Sequence, residues 1–371
     1  VNDVTGARTI QDVRSALDAV FDTPPLTTVP VPASFHTLWA RLREQTMGGK
    51  LVRPRLVDLG FRAGAGARGR SAAEADRPAS VVRLGAAFEL LHAALIVHDD
   101  MIDRDEMRRG RPTLAEQYRR EIVAIGAQDS EATHLGRSIA VIAGDVLLTE
   151  AFTLATTCDP DPAVALRVAP IVFRAATAAA AGELEDVVFS LHRHGGEHPD
   201  TEEILLMERL KTASYTFEAP LEAGALLAGA PPAHAAALAE AGAQLGMAYQ
   251  VIDDVLGTVG DPARTGKANG ADLREGKATL LTAHGRKDPA VRRALDDVAR
   301  AEQDGAGLAE LDAAVHAARH ALVGAGSITY ATAVAAELVR SARELLDPLP
   351  MGDAERDEFA ATCHTLLTRE A

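Results

Sequence analysis

The sequence predicts an all-α protein, and three observations lead there. Alanine runs through the chain, and it is the strongest helix former. Hydrophobic residues make up 47% but aromatics only 4%, so Ala, Leu and Val must build the core. No series of alternating β-branched runs marks out strands. At 371 residues the chain is long enough for one large domain or two ordinary ones. No boundary is sharp and no repeat of 20–50 residues is visible, so a single helical domain over 1–371 is the simplest expectation.

The elements follow from apolar periodicity and its interruptions. Residues 8–21 read as a short amphipathic helix, followed by the Pro-rich connector FDTPPLTTVPVPAS. FHTLWARLREQT forms a second helix that stops at Gly48-Gly49. RAGAGARGRSAAEADRP, residues 62–78, reads as a flexible loop because it is rich in Gly, Ala and Arg. A long apolar helix runs from Ala79 to about Asp103 and is broken by a charged segment and by Arg111-Pro112. Further helices are expected at about 135–157, 164–191, 201–229, 233–257, 289–303 and 308–322, with others near the C-terminus.

Composition excludes several functions. A net charge of −15 argues against a general nucleic-acid binder, which needs a basic surface. Two cysteines, Cys158 and Cys363, cannot build a disulfide framework, and they point to a reducing cytoplasm. The opening VNDVTGARTIQDV has no apolar h-region of a signal peptide, and no stretch approaches about 18 uninterrupted apolar residues, so no membrane span is expected.

The chemistry concentrates at two helix ends. In HDDMIDRDEMRRG, Asp99 and Asp103 are spaced i, i+4, on one helix face about 6 Å apart. Adjacent aspartates repel and need compensation. Hard oxygen ligands at this spacing suit Mg²⁺, which keeps positions for water and phosphate oxygens. A charged helix end is the bland alternative. YQVIDDVLGTVGD again ends an apolar helix in paired acids, Asp253 and Asp254, and two such ends from separate helices can surround a metal cluster.

Cations accompany the acids. GGKLVRPRL carries Lys50 and Arg53 after a glycine pair, and Arg108 and Arg109 follow the first acidic motif. KTASYT supplies Lys211 with Thr212, and GDPARTGKANGADLREGKATL supplies Lys267 and Lys277. Guanidinium forks suit phosphate oxygens and lysine adds point charge, although each taken alone reads equally as a surface cation. His92, seven residues before Asp99, lies on the same helix stripe and is either ligand-facing or a satisfied core histidine. GxxxxGK[ST], GxGxxG after a strand, HExxH and CxxC are all missing, which removes the ordinary nucleotide folds and zinc sites.

These residues together resemble the trans-isoprenyl diphosphate synthases, the polyprenyl synthetase family. GGKLVRP, ELLHAALIVHDDMID, RRGRPT, KTASYT, YQVIDDVLGTVGD and TGKANGADLREGKATL stand in the family's order across roughly residues 45–285. The resemblance implies an all-α fold around a deep central cavity, usually a homodimer. It also implies head-to-tail condensation of isopentenyl diphosphate with an allylic diphosphate. On that likeness Asp99, Asp103 and Asp253 bind three Mg²⁺ ions that hold the allylic diphosphate, aided by Arg108, Lys211 and Lys267 with Lys277 nearby. Lys50, Arg53, His92 and Arg109 hold isopentenyl diphosphate, and Thr212 and Gln250 line the reacting centre. One departure stands out: the second motif ends Val255-Leu256-Gly257, without its last acid.

Product length is read from the helix before Asp99. In the family, aromatic residues four and five positions before that aspartate stop growth at fifteen carbons. Here those positions are Leu95 and Ala94. Phe88, with Leu91 between, lies eleven residues before Asp99, about 16 Å lower at a rise of 1.5 Å per residue. A twenty-carbon product, geranylgeranyl diphosphate, is therefore expected, with a longer polyprenyl or a farnesyl chain as the alternative. A class I terpene cyclase or a non-catalytic partner subunit are the rival readings; the first has no use for GGKLVRP, and the second would have lost acids or cations.

Overall fold

The computed structural model describes residues 4–22, 24–25, 28–69, 78–194, 197–260 and 270–368. In chain order the first helices are α1 (Val4–Phe21), α2 (Ala33–Met47), α3 (Val52–Gly66) and α4 (Pro78–Ile102). A hairpin of two-residue strands, β1 (Met107–Arg108) and β2 (Arg111–Pro112), precedes α5 (Leu114–Ala124), α6 (Asp129–Thr156) and α7 (Pro162–Phe189). Then come α8 (Thr201–Glu208), a π-helical segment (Arg209–Glu218), α9 (Ala219–Leu227) and α10 (Pro232–Val259). The chain continues through α11 (Ala271–Glu275), α12 (Leu280–Gly285), α13 (Pro289–Gln303), α14 (Leu308–Gly324), α15 (Ser327–Leu346) and α16 (Asp353–Thr368). The all-α expectation holds.

The helices group into two compact units, Val1–Ala176 with Ala219–Ala236, and Thr177–Glu218 with Ala237–Ala371. In the first, α4 is the axis. It is apolar nearly all round, as a helix buried on several sides must be. Its Leu84, Phe88, Leu90 and Leu91 are wholly inaccessible. It packs against α3 and α6. Its end is dictated by Asp103 and by Arg104, whose φ of 62° leaves the helical region.

The expected loop over 62–78 is corrected at its start, because residues 62–66 complete α3. Its glycines are packing residues rather than hinges. A Cβ on Gly60 would stand 2.4 Å from the Leu221 carbonyl oxygen, and one on Gly64 would stand 2.7 Å from Ala225 Cα. Reciprocally, a Cβ on Gly224 of α9 would stand 2.1 Å from the Val57 carbonyl oxygen. Only bare glycines let α3 and α9 approach so closely. Residues 70–77 of that stretch lie outside the described residues.

In the second unit, α8 starts with a full capping box, Asp200 accepting from the Glu203 amide while Glu203 reaches back to the Asp200 amide. The single helix expected over 201–229 is instead α8, the π segment and α9. Two further glycines accommodate the wider π turns: a Cβ on Gly182 of α7 would stand 2.1 Å from the Lys211 amide, and one on Gly246 of α10 would stand 2.5 Å from Ala213 Cβ. The C-terminal helices build their own core, in which Val291, Val298, Val315, Ala318 and Leu322 surround Leu273.

The expectation of no membrane-length helix also needs correction. It counted uninterrupted apolar runs, whereas by length and mean hydropathy Pro78–Ile102, Asp129–Thr156 and Pro162–His192 are each long and apolar enough to cross a membrane. In the first, 72% of the apolar window is buried inside the protein, so its hydropathy is that of a core helix. The other two have 33% and 44% of theirs buried.

Candidate active site

The first acidic motif sits at the C-terminal end of α4. The Asp103 amide donates to the Asp99 carbonyl at 2.8 Å, continuing the helical turn just past Ile102. This brings a carboxylate oxygen of Asp99 and one of Asp103 within 4.8 Å of each other. The compensation that adjacent aspartates require comes from Arg108. Its guanidinium bonds Asp99 at 2.8 Å, pairs closely with Asp100 and reaches Asp105 at 3.5 Å. Asp100 is buried, and that burial pushes its carboxyl up to about 6 against the pull of Arg108.

The hairpin separates the two adjacent arginines. Met107 pairs with Pro112 and Arg108 with Arg111, leaving a two-residue loop. Both loop residues have positive φ, 51° at Arg109 and 75° at Gly110, the pattern of a type I′ turn. Arg108 thus faces the aspartates, while Arg109 donates to the Gly48 carbonyl at 3.3 Å.

Beneath the hairpin lies a cavity of about 400 Å³. Arg41, Arg108, Arg109, Arg111, His92 and Gln117 line it, along with Gly48 and Gly49. Burial first, then the charges of Arg53, Arg109 and Arg108, hold the His92 imidazole well below its usual range, so it is neutral. Arg53 is buried in α3 with Nη1 3.6 Å from Glu89, whose carboxyl burial pushes upward. Lys50 is exposed just before α3, and Leu51 between them adopts φ 53°. Of the residues expected from the sequence to set chain length, Phe88, Leu91 and Ala94 are fully buried and Leu95 is half-buried.

The second unit carries the other motif. Lys211, in the π segment beside half-buried Thr212, donates from Nζ to Glu183 at 2.9 Å and Asp186 at 2.6 Å. Asp253 is half-buried near the end of α10. Gln250 donates from Nε2 to Asp254 at 2.9 Å. Burial, and then the charge of Asp272, push the Asp254 carboxyl up to about 8. Glu208 is 2% exposed, and burial and then Asp254 raise its carboxyl too. Lys277 pairs with Glu275 at 3.0 Å. Lys267 lies outside the described residues.

The polyprenyl synthetase family model matches residues 37–317. This chain belongs to the polyprenyl synthetase family. It is 31% identical over 331 residues to the geranylfarnesyl diphosphate synthase of Aeropyrum pernix, covering 88% of this chain and 90% of that one. To the geranylgeranyl diphosphate synthase of Methanosarcina mazei it is 31% identical over 303 residues, covering 81% and 80%. Its fold matches a Corynebacterium glutamicum geranylgeranyl pyrophosphate synthase complexed with isoprenyl diphosphate and magnesium. The TM-score is 0.84 at 28% identity, over 98% of this chain and 99% of that one. This polyprenyl synthetase is a trans-isoprenyl diphosphate synthase, a prenyltransferase that condenses isopentenyl diphosphate.

Sequence reasoning passes over several residues of this synthase that the structure brings to the sites. Glu89 has a signal, being the only charge in the run LGAAFELLHAALIV. Glu183 and Asp186 sit in the acidic run GELEDVV, and Asp272 in the quoted GADLREGK. Arg41 and Gln117 have none, because only folding carries α2 and α5 to the cavity.

Proposed function

We propose that this synthase joins isopentenyl diphosphate head-to-tail to an allylic diphosphate and releases geranylgeranyl diphosphate, working with Mg²⁺. The observation that carries the reading is the paired Asp99 and Asp103 carboxylates, with Asp99 bonded by Arg108, a residue that itself lines the arginine-rich cavity. Two hard oxygen donors within 4.8 Å of each other fit Mg²⁺, and Asp99, Asp103 and Asp253 would hold it. When bound, it supplies positive charge against the leaving pyrophosphate.

The chain's own residues do the rest. Arg108 and Lys211, with Lys267 and Lys277, take the allylic diphosphate and stabilise negative charge as its C–O bond breaks. Lys50, Arg53, Arg109 and neutral His92 orient isopentenyl diphosphate so that its double bond meets the allylic carbon. The opposite partners of Arg108 and Arg109 across the hairpin support this division. Thr212 and Gln250 line the reacting centre. The proton lost after bond formation leaves with pyrophosphate, so no protein nucleophile is needed.

The family match over residues 37–317 supports a single polyprenyl synthetase domain in this reading. Buried, reduced Cys158 and Cys363 support a cytoplasmic setting. Outward apolar residues on α6, such as Val141 and Ile142, support a homodimer. For product length, the non-aromatic Ala94 and Leu95 leave the slot open as far as Phe88, and the Methanosarcina mazei relative bears the matching name.

Incubation with labelled isopentenyl diphosphate, a farnesyl or geranyl primer and Mg²⁺, then chromatography of the dephosphorylated products, tests the whole reading. Geranylgeraniol is expected, and Phe88→Ala should lengthen it. Asp99→Ala or Asp253→Ala should lower turnover by at least about a thousandfold, in line with loss of transition-state charge stabilisation. Farnesol alone would refute the open slot, and parental rates in both aspartate variants would refute the metal assignment.

A further inference from the structure

Between α7 and α8 the chain carries HRHGGEH, residues 192–198, which holds three of its twelve histidines and one glutamate. Short tracts of this composition bind metal when the fold gathers their imidazoles. The tract matches neither HExxH nor CxxC and belongs to none of the family motifs.

The fold brings two of these histidines together. His192 sits in the 3-10 turn Ser190–His194 that follows α7, and His198 stands two residues before Asp200, the cap of α8. Their ring centroids are 4.7 Å apart, with the planes at 59°. Two imidazoles on one tetrahedral ion, each with an N–metal distance of about 2.0–2.1 Å, place their centroids roughly 5 Å apart. The observed spacing meets that requirement.

Hydrogen bonding decides which ring nitrogens can act as ligands. A carbonyl oxygen only accepts, so a ring nitrogen bonded to one carries the proton. His192 Nδ1 donates to the Phe189 carbonyl at 2.6 Å, and His198 Nδ1 donates to the Pro199 carbonyl at 2.8 Å. In the neutral imidazole this leaves the lone pair on Nε2 in both rings. A backbone carbonyl behind Nδ1 is a common way to orient metal-binding histidines. Nε2 of His198 is buried, and among the described residues it meets no hydrogen-bond partner. Burial above all pulls the His198 imidazole down to about 4, so it is neutral near neutral pH. The charge of Arg286 close by is answered by Asp296 at 2.9 Å.

We propose that His192 and His198 form a second metal site, built from other ligands than the aspartates, that takes a transition-metal dication such as Zn²⁺ through both Nε2 atoms. Imidazole nitrogen suits such ions whereas Mg²⁺ prefers oxygen, so the two sites sort their metals by chemistry. Water completes the coordination. The ion clips the end of α7 to the start of α8 and stabilises the folded chain.

Calorimetric titration of the full chain with Zn²⁺, in excess Mg²⁺ to occupy the carboxylates, tests this. One tight Zn²⁺ should bind per chain. His192→Ala and His198→Ala should each weaken it by at least the roughly tenfold that even the outer partners of a metal carry. Zn²⁺ should raise the melting temperature of the parent and of neither variant. Asp99→Ala is the control and should keep the site. Parental affinity in either histidine variant overturns the shared site, and so does a parent that takes no Zn²⁺. Loss in Asp99→Ala with retention in both histidine variants places the ion at the carboxylates and overturns it too. Should an alanine variant fail to fold, the glutamine variant at the same position decides by the same two readings.

Discussion

Arg53 and Glu89 show how little of a side chain's task its type reveals. The motif assigns Arg53 a diphosphate to bind, yet in the structure its side chain is 9% exposed and faces Glu89, 3% exposed, at 3.6 Å. The pair anchors α3 to α4 beside the cavity, so that exposed Lys50 and the turn at Gly48 are fixed relative to His92. Removing one member of a buried pair strands the other, at a cost of roughly 3–5 kcal/mol. Glu89→Ala should lower stability by about that amount on denaturant unfolding and weaken isopentenyl diphosphate binding. An unchanged unfolding midpoint would contradict it. The acids Asp99, Asp103 and Asp253 are legible in the sequence because mutual repulsion makes paired aspartates at the end of an apolar helix costly unless a cation meets them. Glu89 is only half legible: its isolation among apolar residues announces burial, but its partner lies 36 residues away and is found only by folding.

Among elements, the apolar helices are plain in the sequence and the glycine-containing ones are not. The helix from Ala79 to about Asp103 is α4 within one or two residues, because continuous apolar character and a charged stop leave little choice. Segment 62–66 reads as loop because glycine is a weak helix former, but tertiary contact overrides that preference when two backbones must meet. A consequence is measurable. Gly64→Ala places a methyl 2.7 Å from Ala225 Cα, a backbone atom that cannot swing aside. Overpacking of this kind costs typically about 1–3 kcal/mol. The variant should melt at lower temperature than the parent, with α3 and α9 the helices that lose amide protection first. Equal melting and equal protection would show that the two helices yield freely. The π segment is invisible in the sequence for a related reason: its winding is permitted by Gly182 and Gly246, which are far from it in the chain.

For the whole molecule, composition carries the all-α class and the motif order carries the family, while the division into two compact units leaves no mark in composition. No motif assigns a role to the last 90 residues. The structure gives them one, since α13 and α14 surround Leu273 and so reach the second motif through packing rather than through a motif of their own. Assembly belongs to this scale as well. Ile142 is 55% exposed and Val141 40% exposed on α6, a surface that association would cover. Sedimentation should therefore give twice the chain mass of 39.0 kDa, and Ile142→Glu with Val141→Glu should return it to that single mass. A single-chain mass for the parent would remove the homodimer.

The grip of Arg108 on Asp99, Asp100 and Asp105 has a thermodynamic corollary. Without ligands the motif is its own salt, so loading exchanges counter-ions instead of accumulating charge. A diphosphate that draws the guanidinium away unmasks the carboxylates, and a cation that enters them releases the guanidinium for phosphate. Each arrival eases the other, and linkage requires the two enhancements to be equal. On the proposed reading magnesium and diphosphate would then be cooperative ligands, coupled through Arg108.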